Sequence, residues 1–188
     1  LDVLSGRARV EVQVAVIGAG GIGFDVAEYL VQEGPSPSLD PARWRAEWGV
    51  DIDGDSRGGL VAAQPEPPAR QVWMLQRSPG RPGARLGKTT GWIHRATLKA
   101  KGVRMLGGVE YLGVDDSGLR IRVDGAGQIL PVRTVVVCAG QEPRRELQAA
   151  LQSSGVQVPV HLIGGSDVAA ELDAKRAIAQ GSRLAAML

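Results

Sequence analysis

Six residues, GAGGIG at positions 18–23, constrain the fold of this chain more than any other feature of its sequence. A short β-branched run at 12–17 comes directly before them and is typical of a buried strand. Apolar residues at helical spacing follow them, and Gly34 and Pro35 end that pattern. A glycine-rich turn between a buried strand and a helix predicts the opening of a βαβ unit.

The glycines match the pattern G-x-G-x-x-G, in which each glycine has its own physical task. Gly18 makes the tight turn, Gly20 lets the backbone approach a pyrophosphate, and Gly23 lets the helix pack closely on the strand. The N–H groups and positive potential of the helix start would then bind the phosphates. We therefore predict a dinucleotide site; the alternative is the same turn without a ligand. The site residues are Gly18, Ala19, Gly20, Gly21, Ile22 and Gly23.

The rest of the chain alternates strand and helix patterns. The predicted strands are 12–17, 71–76, 103–106, 109–114, 119–123, 128–132, 134–138 and 159–163, and the predicted helices are 21–32, 90–101, 144–152 and 168–187. The order is βαβαβ, then three hairpin-linked strands, then βαβα. This order predicts an α/β fold with a Rossmann-like, mostly parallel sheet, helices on both of its faces, and a three-stranded antiparallel piece.

Residues 34–69 interrupt this alternation. They hold six of the 11 prolines and the acidic run DIDGD, and we interpret them as an inserted loop with one short helix at 41–48.

Arg77 follows the second predicted strand and bears on the choice of nucleotide. It lies 54 positions after Gly23, or 18 once the 36 inserted residues are left out. NAD-binding proteins place an acidic residue about 20 positions beyond the fingerprint, on the adenosine ribose. An arginine there favours a 2′-phosphate, and hence NADP(H) over NAD(H). Arg81 and Arg85 would share that charge, and an ordinary exposed loop arginine is the alternative.

A second glycine-containing segment, TVVVCAGQEP at 134–143, also follows a strand pattern. It places Ala139, Gly140 and Gln141 near the carboxyl edge of the sheet, where open α/β sheets bind their ligands.

The segment HLIGGSD at 161–167 repeats this pattern of a strand followed by glycines. Gly164 and Gly165 are followed by Asp167, just before the last predicted helix. Asp167 either accepts a hydrogen bond from a ribose or ribityl hydroxyl or caps that helix, and the sequence leaves both readings open.

The composition excludes several classes of function. The 22 basic and 20 acidic side chains give a net charge of +2, which is too balanced for nucleic-acid binding by bulk charge. No apolar run is long enough to span a membrane. The single cysteine, Cys138, forms no intrachain disulfide and indicates a reducing, cytoplasmic compartment. One Cys and two His also exclude a zinc or iron–sulfur site built from this chain alone.

Five segments taken together resemble one enzyme family. They read VAVIGAGGIGFDVAEYL, LGKTTGWIHRATL, GVRMLGGVEYL, VVVCAGQEPRREL and HLIGGSDVAAELDAKRAIAQGSRLA. These segments closely resemble the C-terminal part of the bacterial NADPH-dependent 2,4-dienoyl-CoA reductases, within the wider group similar to trimethylamine dehydrogenase. The resemblance covers nearly the whole chain and is weakest in the insertion.

The resemblance implies a longer enzyme with several cofactors. In that family a TIM barrel binds FMN and the dienoyl-CoA, a four-cysteine segment holds a 4Fe–4S cluster, and two C-terminal domains bind FAD and NADPH. NADPH gives hydride to FAD, and electrons then pass singly through the cluster to FMN.

The same resemblance assigns parts of this chain. Residues 1–143 would form the NADPH-binding domain, and residues 144–188 resemble the end of the FAD-binding domain. The fingerprint glycines and Arg77 would hold NADPH. The segment 139–141 resembles the crossover between the two domains, and GGSD at 164–167 resembles the closing flavin-contact motif.

The chain also departs from that family. Only one G-x-G-x-x-G is present, and the barrel, its catalytic acids and the cluster cysteines are absent. We therefore expect a piece of a longer enzyme that binds NADPH, partners the FAD domain and the TIM barrel, and does not reduce dienoyl-CoA by itself. The surface left by a missing FAD half would favour self-association. The alternatives are an amine dehydrogenase or demethylase relative, and a nucleotide-binding interaction module without catalysis.

Overall fold

A four-stranded parallel sheet organises the first part of the chain. Its strands are β1 (Gln13–Ile17), β2 (Gln71–Leu75), β3 (Arg104–Leu106) and β7 (Thr134–Val137), in the order β3-β2-β1-β7. The central strand β1 pairs in parallel with both β2 and β7.

The computed structural model describes residues 1–155, 157–170 and 174–188. The chain divides into two units, Leu1–Ala139 and Gly140–Leu188, and the sheet belongs to the first.

Two helices cover one face of this sheet. They are α1 (Gly21–Val31) and α3 (Gly91–Ala100), which pack against each other. Phe24, Leu30 and Leu98 from these helices are fully buried against Val14 and Met74 of the sheet. Each such side chain contributes about 1.5–3 kcal/mol by leaving water, so this layer is a major source of stability.

A three-stranded antiparallel sheet covers the opposite face. Its strands are β4 (Glu110–Asp115), β5 (Gly118–Val123) and β6 (Ala126–Leu130), with β5 in the centre. Leu119 and Ile121 of β5 pack on Ala15, Trp73 and Leu75. The expected α/β class, with a parallel sheet and an antiparallel piece, is confirmed. In this unit the second face carries the antiparallel sheet where a helix was expected, because the alternating apolar residues of β5 already bury it.

The insertion contains one α-helix, α2 (Pro41–Trp48), at the predicted position, and two 3-10 turns, Pro37–Leu39 and Arg57–Gly59. The Asp40 carboxylate accepts hydrogen bonds from the backbone N–H groups of Ala42 and Arg43, and Pro41 occupies the first turn. Gly49 ends the helix in the left-handed conformation. These start and stop signals are local, which is why the sequence alone places this helix correctly.

Polar contacts hold the insertion against the rest of the first unit. The side chain of Lys101, only 5% exposed, pairs with the carboxylate of Glu47, which is 13% exposed. Lys101 Nζ also donates to the carbonyl oxygen of Glu66 at 3.1 Å. The insertion closes where the Ala69 N–H donates to the Val31 carbonyl at 3.0 Å. Since Lys101 follows the end of α3, this one ammonium group ties two parts of the insertion to the helical layer.

The second unit consists of α4 (Glu146–Ser153), a 3-10 turn (Gly164–Ser166) and α5 (Ala174–Ala185). The predicted strand at 159–163 was wrong: those residues form no regular structure, and the described part of this unit holds no strand for them to pair with. The predicted helix at 168–187 was too long, because 168–170 are not helical. Residues 171–173 lie outside the described residues.

Replacing Lys101 with Met removes the ammonium group and keeps much of the apolar stem. We expect the free energy of unfolding to fall by about 3 kcal/mol, because the Glu47 carboxylate is left charged, largely buried and without its partner. The double variant Lys101→Met/Glu47→Met should recover much of this loss, since both charges are gone. Chemical denaturation of the three proteins measures the effect. A double variant no more stable than Lys101→Met would contradict the ion-pair explanation.

Candidate functional site

The glycine loop between β1 and α1 is fixed at the carboxyl edge of the parallel sheet. Gly18 has a φ of +112°, and a Cβ atom there would lie 2.6 Å from the carbonyl oxygen of Cys138 and 3.0 Å from the nitrogen of Ala139. The Gly18 N–H donates to the Leu75 carbonyl at 2.8 Å. The loop is therefore held between the ends of β2 and β7, and only glycine fits its first position.

The start of α1 lies directly against this loop. A Cβ atom on Gly23 would lie 1.8 Å from the carbonyl oxygen of Gly18, a distance that no real side chain tolerates. The backbone of the helix therefore approaches the backbone of the loop as closely as glycine allows. This contact aims the first turn of α1 along the carboxyl edge of the sheet.

Open space remains beside the middle of the loop. Gly20 and Gly21 are exposed, and a Cβ atom on either would meet no atom within 4 Å. Gly20 is the N-cap residue of α1, no side chain caps the helix, and its first turn holds no acidic residue. Free backbone N–H groups at a helix start attract anions. This exposed, uncapped turn therefore fits the pyrophosphate of a dinucleotide.

Arg77 lies at the same edge of the sheet, just after β2, and its side chain is exposed. The loop that follows it is well ordered by its own contacts. Gln76 Nε2 donates to the carbonyl of Ser78 at 3.0 Å, and Arg95 of α3 donates to the carbonyl of Gly83 at 2.8 Å. The first of these bonds is local, whereas the second joins the loop to α3 and could not be predicted from the sequence pattern.

The charge around Arg77 is strongly one-sided. Residues 67–109 carry nine Lys and Arg side chains and no Asp or Glu, although the whole chain has a net charge of only +2. Arg77, Arg81, Arg85 and Lys88 are all exposed within this stretch. The edge of the sheet beside the glycine loop is therefore an anion-attracting surface.

The second unit holds the other predicted site residues except Ala139, which ends the first unit, and it includes the GGSD turn. Gly164 has a φ of +60°, and a Cβ atom there would lie 3.1 Å from the Cβ of Ala177 on α5. Gln180 bridges the turn: its Oε1 accepts from the Gly164 N–H at 2.7 Å, and its Nε2 donates to Asp167 Oδ2 at 2.7 Å. Arg145 Nε donates to the carbonyl of Ser166 at 3.0 Å. The sequence gave no signal for Gln180 or Arg145.

The structure brings two of the predicted segments of this unit together. Gln141 and Gly165 line one cavity of about 340 Å³, and Gly140, with a φ of +81°, precedes it in the chain. The complete lining is Gln141, Glu142, Arg144, Gly165, Ser166 and Ala169. One oxygen of Asp167 is engaged by Gln180, and the side chain is only half-buried.

A larger groove, of about 520 Å³, lies at the opposite, amino end of β1. One of its lining residues, Arg70, donates to the carbonyl oxygens of Val10 at 3.4 Å and Leu30 at 3.2 Å. The guanidinium therefore links the end of α1 to the segment that leads into β1. We assign this groove a structural role, because the glycine loop lies at the other edge.

The remaining chemically active side chains have structural surroundings. Cys138 is half-buried in the helical layer, and burial raises the pKa of its thiol, which disfavours the reactive thiolate. His94 Nδ1 lies 2.7 Å from Glu28 Oε1, so it joins α3 to α1. His161 is exposed. Within the described residues no group of three His, Cys, Asp or Glu side chains is placed to hold a metal ion, and no helix is long and apolar enough to cross a membrane.

The family model for pyridine nucleotide-disulphide oxidoreductases matches residues 5–172. The chain belongs to this family. Domains of the family bind NAD(P)H and FAD, in agreement with an uncapped glycine loop at the carboxyl edge of the sheet.

The similar proteins are several times longer than this chain. A metal reductase of Desulforamulus reducens is 26% identical over 151 residues, which are 80% of this chain and 22% of that protein. The fold resembles that of 2-naphthoyl-CoA reductase in complex with 2-naphthoyl-CoA (TM-score 0.62, 17% identity, 96% of this chain, 22% of that one). It also resembles histamine dehydrogenase from Rhizobium sp. 4-9 (TM-score 0.60, 14% identity, 98% of this chain, 24% of that one). This chain thus spans about a fifth to a quarter of their lengths.

Two glycines of the loop should respond differently to alanine. We expect Gly23→Ala to lower the free energy of unfolding by at least about 2 kcal/mol, because its Cβ would overlap the Gly18 carbonyl. Gly20→Ala should lower it by less than about 1 kcal/mol, since its Cβ enters open space and only the cap preference changes. Thermal and chemical denaturation compare the variants with the unchanged chain. Equal losses would show that the loop is not shaped as described.

Proposed function

We propose that this chain is the NADPH-binding part of a flavoenzyme similar to the 2,4-dienoyl-CoA reductases, in which it positions NADPH for hydride transfer to FAD. One observation carries the proposal. An open, uncapped glycine loop and an acid-free arginine loop lie side by side at the carboxyl edge of one parallel sheet. NADPH carries a pyrophosphate and a separate 2′-phosphate, and these two loops offer a place for each.

The glycine loop would bind the pyrophosphate through its backbone. The N–H groups at the start of α1 have no side-chain cap, the space beside Gly20 and Gly21 is open, and the helix adds positive potential there. Ala19 and Ile22 complete the loop, and the exposed side chain of Ile22 leaves its backbone accessible. Because glycines fix the loop at both ends, the N–H groups are in place before the nucleotide arrives, which lowers the entropy lost on binding.

Arg77 would select the nucleotide. Its guanidinium is the first exposed group after β2, where the adenosine ribose of a bound dinucleotide lies. A planar guanidinium donates two parallel hydrogen bonds to a phosphate. Arg81 and Arg85 add positive charge, and Arg85 lies near Arg77 in the chain with its Nη2 donating to Ser78 Oγ at 3.4 Å.

The second unit would contribute to the flavin side. Ala139, Gly140 and Gln141 would form the crossover towards the FAD domain, and Gly164, Gly165 and Asp167 would meet the flavin. In support, Gln141 and Gly165 line one cavity, and Gln180 holds both Gly164 and Asp167 in place. When bound, NADPH supplies the hydride and FAD accepts it; the chain supplies binding and orientation.

The dienoyl-CoA assignment rests on sequence segments rather than on the fold. The segments LGKTTGWIHR and GGSDVAAELDAKRAI resemble that enzyme in particular, whereas the fold is shared with amine dehydrogenases. FMN, the 4Fe–4S cluster and the acyl substrate would be bound by other domains of the parent enzyme.

Nucleotide titration tests the proposal. We expect the chain to bind NADPH more tightly than NADH, as measured by nucleotide fluorescence or calorimetry. Arg77→Ala should weaken NADPH binding at least about tenfold and leave NADH binding nearly unchanged, because a charge-assisted contact is lost to the 2′-phosphate alone. Gly20→Ala should weaken both nucleotides, because its Cβ occupies the space of the pyrophosphate.

A matched arginine controls for the loss of general charge. Arg9, at the amino end of β1, is exposed and lies at the opposite edge of the sheet from the glycine loop. Arg9→Ala should leave both affinities unchanged. A chain that prefers NADH, with a preference undiminished in Arg77→Ala, would refute the assignment of NADPH.

A further inference from the structure

Tyr111, on the antiparallel strand β4, carries a buried hydroxyl group that has no partner. Its ring packs against the core cluster that contains Leu75 and Leu106. The hydroxyl oxygen is closed off from solvent, and no hydrogen-bond partner for it exists among the residues that the structure describes. Buried polar groups are nearly always paired, so an unpaired one calls for an explanation.

The fold brings this hydroxyl to the loop that carries Arg77. The Val109 N–H donates to the Gln76 carbonyl at 3.0 Å, and the Gly108 N–H donates to the Ser78 carbonyl at 2.9 Å. These two bonds fix the chain leading into β4 alongside the residues on either side of Arg77. Tyr111 follows Val109 by two positions, and both side chains pack in the same cluster.

The positive charge of Arg77 affects the pKa of the Tyr111 phenol. Burial raises the pKa of Tyr111, and the positive charge of Arg77 partly opposes that rise. The phenol therefore stays neutral throughout the physiological range, and its oxygen is able to accept a hydrogen bond from a cation.

We propose that Tyr111 is a positioning residue for Arg77: its hydroxyl oxygen accepts a hydrogen bond from one edge of the guanidinium while the other edge binds the 2′-phosphate of NADPH. This inference rests on the proposed function. A guanidinium has five N–H donors in one plane, so a phosphate that engages one edge leaves donors free on another. The buried hydroxyl oxygen of Tyr111 supplies an acceptor for one of these free donors.

The physical gain is orientation. Arg77 is an exposed, flexible side chain, and fixing it against a phosphate loses rotamer freedom. A second bond, to an atom held rigidly by the core, fixes the plane of the guanidinium while the two parallel phosphate bonds form. The oxygen in turn gains the partner that it lacks.

Tyr111→Phe tests the proposal because it removes only the hydroxyl. We expect the dissociation constant for NADPH to rise about fivefold to tenfold, as one hydrogen bond to a charged group is lost. The dissociation constant for NADH should not change. The melting temperature should stay the same or rise, because the variant removes a buried group that is unpaired without nucleotide.

Tyr29→Phe is the matched control: Tyr29 is the other tyrosine and lies on α1 at the far groove, so neither affinity should change.

The double variant separates positioning from general packing. In the Arg77→Ala background, adding Tyr111→Phe should have no further effect on NADPH binding, since the group to be oriented is gone. Three results would overturn the inference: unchanged NADPH binding in Tyr111→Phe, an equal loss for NADPH and NADH, or the same loss with and without Arg77. If Arg77→Ala abolishes the NADPH preference while Tyr111→Phe keeps it, the proposed function stands and the role of Tyr111 fails.

Discussion

The contact between Gly23 and the carbonyl oxygen of Gly18 is the constraint on which the rest of this structure depends. With 1.8 Å between a would-be Cβ and that oxygen, the first turn of α1 has a single position relative to β1. The Gly18 N–H then reaches Leu75 on one side, and the Cys138 carbonyl fills the space on the other. Three strand ends and one helix start thus meet at one point. An uncapped helix start at the carboxyl edge of the sheet is the geometric result of that meeting.

The uneven distribution of charged residues along the chain is a second feature of this edge of the sheet. The acid-free stretch 67–109 holds nine of the 22 Lys and Arg side chains, so all 20 acidic residues lie elsewhere. The small net charge therefore conceals an uneven distribution, in which the exposed Arg77, Arg81, Arg85 and Lys88 lie in a stretch without acidic residues. A basic edge next to a concave turn attracts polyanions over roughly a Debye length, about 8 Å at physiological ionic strength. Association should therefore be faster at low salt than at high salt.

Local signals in the sequence were enough for much of the fold and for the glycine loop. The bounds of α2 follow from Asp40, Pro41 and Gly49, which act within one turn of the helix. The strand expected at 159–163 failed because its apolar pattern needs a neighbouring strand, and pairing is a tertiary property. Nothing in the sequence predicted the Lys101–Glu47 pair, the Gln180 bridge or the unpaired Tyr111 hydroxyl. The first two join residues separated in sequence, and the third depends on which groups the fold places around Tyr111, so none is encoded in a local pattern.

The hydrogen bond from Ala69 to Val31 has a consequence for how this domain varies. The Ala69 nitrogen, at the end of the 36-residue insertion, lies 3.0 Å from the carbonyl oxygen of Val31, the last residue of α1. A tight turn of a few residues would join the same helix to the same strand without moving the sheet. Loop-closure entropy grows only slowly with length, so such a junction accepts both short and long segments. The junction of α1 and β2 is therefore a place where the length of the connecting segment has little effect on the carboxyl edge of the sheet.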